Sequence, residues 1–321
     1  MSFSEAELLA IGDKALGSYP LEIKEVSLVN NEYNATFKVV AANGTQYALR
    51  ININSPRSIS NLKAEIAWVN FLRNDARVTV PHPISTTENQ YFVTVDNTSG
   101  NSEFKCVLYS WLDGEELGDE PTPEQIHSLG AAMATLHLSS KDFELPAGAE
   151  LPSFQDPMWE TEDFLLSSKS VLEPEAKSLI TQALVVIKSE IDELYRQHAQ
   201  QIIHADLHGW NVMWHEGQVA VFDFDDCGLG LPIQDLATAI YYLDTPEQDA
   251  ALKEGYASVA PLPEYSESQM QMFMIQRRII LLNYLYETSN EEHRAMIPEY
   301  LEESLRRVSK FITETKELKN G

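Results

Sequence analysis

Two carboxylates and one amide carry the chemistry that the sequence suggests. Asp206 closely follows the apolar pair Ile202-Ile203, Asn211 comes five residues later at the start of a second apolar run, and Asp223 ends the run VAVF. If these runs are strands, side chains at their ends meet at one edge of a small sheet. Carboxylate and amide oxygens are hard ligands, which suit Mg²⁺ rather than Zn²⁺.

The three residues suit different roles in phosphoryl transfer. A Mg²⁺ ion bound by Asn211 and Asp223 would keep coordination positions open for phosphate oxygens and water. Asp206, outside that first shell, would orient a hydroxyl group and accept its proton, a contribution typically worth about 10²- to 10⁴-fold in rate. The remainder of such a reaction is mostly positioning and charge neutralisation.

The elements that must position these residues form two unlike regions. Residues 1–112 contain β-branched and aromatic runs, an Asn43-Gly44 hairpin signal, and helices predicted after Ser4 and over 58–74. Residues 113–321 are mainly helical, beginning with the cap pattern Thr122-Pro-Glu-Gln. Further helices are predicted over 159–168, 173–199, 233–257, 266–287 and 290–317, with one β interruption around Asp206. The predicted fold is α+β, with a small antiparallel β-rich N-terminal lobe and a larger helical C-terminal lobe.

The β interruption also carries a recognisable motif. HADLHGWN, at residues 204–211, fits the kinase catalytic-loop pattern H-x-D-L-x-x-x-N, and DFDD at 223–226 stands where kinases have D-F-G. Together with PIQDLA at 232–237, these motifs resemble the aminoglycoside phosphotransferase/choline kinase family, in particular bacterial members near stress-response kinase and homoserine kinase-like phosphotransferases. The resemblance spans roughly residues 22–300. It implies a two-lobed protein-kinase-like fold that phosphorylates hydroxyl groups with ATP and Mg²⁺.

The resemblance implies roles for four residues of the N-terminal lobe. Arg50 stands where kinases carry the phosphate-binding lysine, and Glu65 is its acidic partner; a guanidinium keeps the charge but is not interchangeable with an ammonium group. Ser110 and Trp111 lie in the segment that contacts adenine through its backbone. The phosphate-covering turn would be residues 30–36, which contain no glycine.

Supporting roles are implied in the C-terminal lobe. Asp206 would be the catalytic base and Asn211 and Asp223 the magnesium ligands, while Asp235, at a helix start, would buttress the catalytic loop. His204 is interpreted as a structural hydrogen-bonding residue rather than a proton shuttle. Asp225 and its neighbour Asp226 have open assignments: one assists metal or acceptor binding, and the other caps the turn.

Three alternatives to a small-molecule kinase stay open. A bacterial protein Ser/Thr kinase of the same superfamily shares these motifs. A metallohydrolase would use His204, Asp206 and His208, which share one face of a regular strand. A non-catalytic nucleotide-binding protein would fit Arg50 and the glycine-free turn, but it leaves the three catalytic-type residues unexplained.

Charge and composition limit the partners. The 321 residues contain 23 Lys+Arg and 49 Asp+Glu, a net charge of −26, so nucleic acids and anionic membranes are poor partners. Residues 113–321 hold 14 of the basic and 38 of the acidic side chains, a net of −24. Such charges are often solvated helix faces, but they also favour a cationic acceptor. Two cysteines and no long apolar run lead us to expect a cytoplasmic protein, of unspecified oligomeric state.

Overall fold

The computed structural model describes residues 3–31, 34–55, 57–75, 77–96 and 103–320, with side chains up to residue 317. The chain forms two compact units. Unit 1 contains residues 1–115, 144–150 and 220–222, and unit 2 contains residues 116–143, 151–219 and 223–321. The assignment of nucleotide binding to residues 1–112 and of the acceptor to residues 113–321 stays a prediction.

Unit 1 is built on a five-stranded antiparallel sheet with the strand order β1-β2-β3-β5-β4. Alternate side chains of β2 are buried, and they pack with the apolar face of α1. Asn43 and Gly44 form the predicted turn between β2 and β3, where Gly44 has a φ of 85° and Asn43 accepts a hydrogen bond from the Thr45 amide. Its elements are α1 (Glu5–Leu16), β1 (Ile23–Asn31), β2 (Asn34–Ala41), β3 (Gln46–Asn52), α2 (Ile59–Asp75), β4 (Val93–Asp96) and β5 (Glu103–Ser110).

The rest of the chain is mainly helical, as predicted. Two small sheets interrupt the helices. β7 pairs antiparallel with β10, and the second sheet has the strand order β6-β8-β9, in which β8 and β9 form the predicted hairpin. The elements are β6 (Glu115–Glu116), α3 (Pro123–Ser139), α4 (Pro174–Gln197), β7 (Gln201–Ile203), β8 (Val212–His215), β9 (Gln218–Val221), β10 (Gly228–Gly230), α5 (Pro232–Tyr241), α6 (Pro246–Ala257), α7 (Glu267–Glu287), α8 (Glu291–Ala295) and α9 (Ile297–Asn320). Among the described residues, no helix is both long and apolar enough to cross a membrane.

Three predicted helices were wrong in detail. Residues 159–168 form no helix, because Trp159 and Glu160 have φ angles of 55° and 57°, in the left-handed region that a right-handed helix excludes. The predicted helix over 233–257 is divided into α5 and α6, since the Thr245 side chain caps a new helix. The predicted helix over 290–317 is likewise divided into α8 and α9.

Candidate active site

Asp235 fixes the backbone of the segment that carries Asp206. Its carboxylate is fully buried at the start of α5 and accepts hydrogen bonds from the amides of His204 (2.9 Å) and Ala205 (2.6 Å). Ala205 has a φ of 68°, an unfavourable left-handed conformation for a residue other than glycine. The two hydrogen bonds that Asp235 accepts therefore hold a sharp turn of the chain directly before Asp206.

A histidine without a predicted role completes this support. The Nε2 atom of His137, in α3, lies 2.9 Å from Asp235 Oδ2, and its Nδ1 atom lies 2.9 Å from the Tyr256 hydroxyl of α6. Burial raises the pKa of the Tyr256 hydroxyl, so this group stays protonated. The helices α3 and α6 are thus connected to the backbone of His204 and Ala205 through the Asp235 carboxylate.

Asn211 is locked onto Asp206 through its amide nitrogen. This nitrogen donates to the Asp206 carbonyl oxygen (2.7 Å) and to Asp206 Oδ2 (3.1 Å), from the short 3₁₀ turn Gly209–Asn211. Gly209 is required in this turn, because a Cβ atom there would lie 2.5 Å from the Gly118 carbonyl oxygen. Because the amide nitrogen of Asn211 already donates to Asp206, the amide oxygen of Asn211 is the atom suited to bind a hard cation.

Asp206 is paired with an arginine that the motif does not include. The Nη2 atom of Arg277, in α7, donates to Asp206 Oδ1 and to the Tyr242 hydroxyl (2.7 Å). Burial alone would raise the pKa of the Asp206 carboxyl, but the Arg277 guanidinium and then His208, 3.4 Å away, hold that pKa well below its usual range. Asp206 is therefore held in its ionised, carboxylate form.

The second acidic segment follows β9. Asp223 is exposed and has a φ of 58°, while Phe224 is buried with its ring 4.8 Å from that of His204. Asp225 and Asp226 are half-buried in the following 3₁₀ turn, Phe224–Asp226. The exposed Asp223 carboxylate and the Asn211 amide oxygen have the donor chemistry that Mg²⁺ prefers. No group of three or more His, Cys, Asp or Glu side chains in the described part of the chain could hold a metal ion.

The predicted nucleotide residues of unit 1 include a buried ion pair. Arg50 Nη2 donates to Glu65 Oε2 (2.7 Å), and the exposed fractions of these residues are 7% and 4%. The hydroxyl of Tyr109 donates to the other carboxylate oxygen at 2.9 Å, and the Arg50 guanidinium lies over the Tyr109 ring. The β3 strand and the α2 helix are therefore joined through these side chains.

The predicted adenine segment already uses two of its backbone amides. The amide of Ser110 donates to the His82 carbonyl oxygen (2.8 Å), and that of Trp111 donates to the Gln46 carbonyl oxygen (3.2 Å). These two amides are therefore not available as donors to a base, which leaves the carbonyl groups of the segment. In the predicted phosphate-covering turn, residues 32 and 33 lie outside the described residues.

Comparison with known proteins identifies the family. Residues 25–268, most of the chain, match the family model described as the phosphotransferase enzyme family. The chain belongs to this family. The predicted resemblance is thus confirmed, and so is the reaction class: the enzyme is a kinase that transfers phosphate to an alcohol group.

Individual relatives agree with this assignment. The enzyme is 25% identical to amicoumacin kinase of Bacillus subtilis (strain 168) over 241 residues, which cover 74% of this chain and 68% of the relative. It resembles the structure of a microcompartment-associated aminopropanol kinase with a TM-score of 0.80 and 24% identity, over 95% and 98% of the two chains. The amicoumacin kinase hAmiN in complex with AMP-PNP, Ca²⁺ and Ami gives a TM-score of 0.77 and 18% identity, over 95% and 94%. At these identities the structures establish the fold, which confirms the predicted kinase-like class.

Proposed function

We propose that the enzyme transfers the γ-phosphoryl group of ATP to a hydroxyl group of a small, amino-bearing molecule, with Mg²⁺ as the metal. The acceptor oxygen would form a bond to the γ-phosphorus while the bond from that phosphorus to the β–γ bridging oxygen breaks. ADP leaves, and the hydroxyl proton passes to Asp206. The complex of the amicoumacin kinase hAmiN with AMP-PNP and Ca²⁺ supports a nucleoside triphosphate and a divalent cation here.

The observation that carries the proposal is the fixed, ionised carboxylate of Asp206. Asn211 holds one of its oxygens, Arg277 the other, and Asp235 sets the backbone before it. A carboxylate held in this way can orient a hydroxyl group without first rearranging, which is how positioned groups lower a barrier.

Other residues are proposed to bind the nucleotide and the metal. Asn211 and Asp223 would hold Mg²⁺, which when bound neutralises phosphate charge. Arg50, oriented by Glu65, would contact phosphate oxygens, and the Ser110–Trp111 segment would contact adenine. The net charge of −24 over residues 113–321 supports an acceptor with an amino group.

The test is a screen of acceptors with ATP and Mg²⁺, followed by Asp206→Asn. We expect the substitution to lower kcat by about 10²- to 10⁴-fold, because the proton acceptor is lost. Binding of AMP-PNP, measured by calorimetry, should change little. Asp13→Asn, at an exposed position of α1, is the matched control and should keep full activity.

Two results would contradict the proposal. One is an Asp206→Asn enzyme that keeps the kcat of the unmodified enzyme. The other is phosphate incorporated into a protein but into no small molecule, which would favour the Ser/Thr kinase alternative.

A further inference from the structure

A cavity of about 280 Å³ lies between α7 and α9, beside the end of α5. Four cationic side chains line it: Arg278 of α7 and Arg306, Arg307 and Lys310 of α9. The net charge of residues 113–321 is −24, so this group of cations differs in sign from the region that contains it. A concave surface lined by charges of one sign concentrates ions of the opposite sign.

Arg278 is a buried cation without a carboxylate partner. The residue is 8% exposed, and an arginine side chain keeps its charge inside proteins. Its Nη1 atom donates to the Ser304 hydroxyl (3.3 Å), its Nε atom is buried without a partner, and its Nη2 atom bonds to no described residue. Because buried charges are nearly always paired, an arginine of this kind in a cavity wall indicates that the cavity takes an anion.

Two tyrosine rings enclose the Arg278 guanidinium but do not neutralise it. The ring centroids of Tyr300 and Tyr241 lie 4.6 Å and 5.6 Å from its guanidinium carbon. Burial raises the pKa of the Tyr300 hydroxyl, so this group is a neutral phenol. The two hydroxyls also bond to each other at 2.6 Å. The rings therefore orient the guanidinium and leave its charge for a ligand to balance.

The cations of α9 are only partly neutralised by their neighbours. Glu303 accepts hydrogen bonds from both Arg306 (2.7 Å) and Arg307 (2.6 Å), and Glu314 lies 3.6 Å from Lys310. Together with Arg278, four positive charges thus face two negative ones. The exposed fractions of the Arg306 and Lys310 side chains are 65% and 69%, so both can turn towards a ligand.

Apolar side chains complete the wall. Met274 and Ile275 of α7 and Phe311 of α9 line the same cavity. A cavity of about 150 Å³ is large enough to bind benzene. The larger cavity between α7 and α9 therefore has room for an aromatic ring or a short alkyl chain together with an anionic group.

The cavity is separate from the proposed catalytic site. Arg277 bonds to Asp206 and Tyr242, whereas the neighbouring residues Arg278 and Tyr241 line the cavity. None of the described residues that line it hydrogen-bonds to Asp206. A ligand held here would therefore not compete with groups bound at the Asp206 carboxylate.

We propose that this cavity binds a phosphate monoester that carries an apolar group. The phosphate binds to Arg278 and the cations of α9, and the apolar group packs on Met274, Ile275 and Phe311. A phosphate monoester supplies up to two negative charges, which match the excess of two positive charges, and several oxygens for the guanidinium donors. The inference does not rest on the proposed function, because the two sites share no residue.

The experiment measures binding of phenyl phosphate to the full chain by calorimetry. AMP-PNP and Mg²⁺ are present in excess, so that the proposed nucleotide site is filled. Inorganic phosphate lacks the apolar group, and benzoate carries one charge instead of up to two. We expect one phenyl phosphate per chain, bound about 10-fold more tightly than inorganic phosphate because the ring is buried, and more tightly than benzoate because of its charge.

Substitutions assign this binding to the cavity. Arg278→Met should weaken phenyl phosphate binding by about 10-fold or more, because the buried cation is lost. Arg306→Gln should weaken it by about threefold, and it serves if the methionine variant does not fold. Arg196→Gln is the matched control for Arg306→Gln and should leave the affinity unchanged. Arg196 forms the same type of exposed pair, with Glu193 on α4 (2.5 Å), but it does not line the cavity.

Four results would overturn the inference. Phenyl phosphate might not bind at about 5 mM, a concentration at which a ligand of millimolar affinity is detected. Its binding might be lost when AMP-PNP is added, which would assign it to the nucleotide site. Benzoate or inorganic phosphate might bind equally well, which would contradict the ligand class. Arg306→Gln and Arg196→Gln might have equal effects, which would assign the binding to general surface charge.

Discussion

At the scale of single residues, the Arg50–Glu65 pair gives a direct prediction. Removal of one member of a buried ion pair loses its attraction for the other charge, which stays buried, so Glu65→Gln should lower the free energy of unfolding by about 3 kcal/mol. Urea denaturation measures this change. The matched substitution Glu314→Gln, in an exposed pair with Lys310, should cost less than about 0.5 kcal/mol. Equal losses in the two variants would show that burial of Arg50 does not depend on this carboxylate.

Whether a candidate site residue can be predicted from the sequence depends on how far along the chain its partner lies. Asp206 and Asn211 were predicted because both lie in one motif, and the Asn211 amide bonds directly to Asp206 five residues earlier. Arg277 could not be predicted in this way, since it pairs with Asp206 across 71 residues and stands in an apolar helical pattern that carries no motif. His137 is a similar case, because a single histidine on a helix does not indicate its distant partner Asp235.

At the scale of elements, local signals predicted helix starts well and loops poorly. The cap patterns at Ser4 and Thr122 both form complete capping boxes, because each needs only residues three positions apart. The loop over 159–168 has helical periodicity, yet Asn283 holds it in another shape. The Asn283 side-chain nitrogen donates to the Glu162 carbonyl oxygen, and its side-chain oxygen accepts from the Phe164 amide. Those partners lie more than a hundred residues away, so tertiary contacts override the local pattern.

Two glycines bring α3 and α6 into close contact, so a larger residue there should destabilise the packing of these helices. A Cβ atom on Gly255 would lie 1.9 Å from the His127 carbonyl oxygen, and one on Gly130 would lie 2.0 Å from that of Leu252. Gly255→Ala must therefore push the two helices apart, and we expect a loss of about 3 kcal/mol in the free energy of unfolding. Urea denaturation again measures it.

The control for this prediction is Gly17→Ala, at the end of α1. Gly17 has a φ of −59°, and the nearest atom to its added Cβ would be 3.4 Å away, an ordinary contact. Its effect should stay within about 0.5 kcal/mol. If Gly255→Ala were equally mild, α3 and α6 would have room to separate, and His137 and Tyr256 would not be held as tightly as their contact implies.

At the scale of the whole molecule, the charge distribution supports the proposed amino-bearing acceptor. Residues 1–112 are nearly neutral, at −2, whereas residues 113–321 carry −24. A field of this sign attracts cations and repels anions, so a purely anionic hydroxy acid would be disfavoured as an acceptor. A zwitterion avoids this repulsion because its amino group balances its carboxylate.

Salt provides the test, because added ions screen the field over about 10 Å at 0.1 M. As NaCl is raised from about 20 to 300 mM, we expect KM or the inhibition constant to rise about threefold for 3-aminopropan-1-ol, to fall for 4-hydroxybutyrate and to stay constant for homoserine. The three compounds share a carbon chain of similar length, so their net charge is the main variable. A common slope for all three would mean that the carboxylates of residues 113–321 are solvated helix faces that do not act on the acceptor.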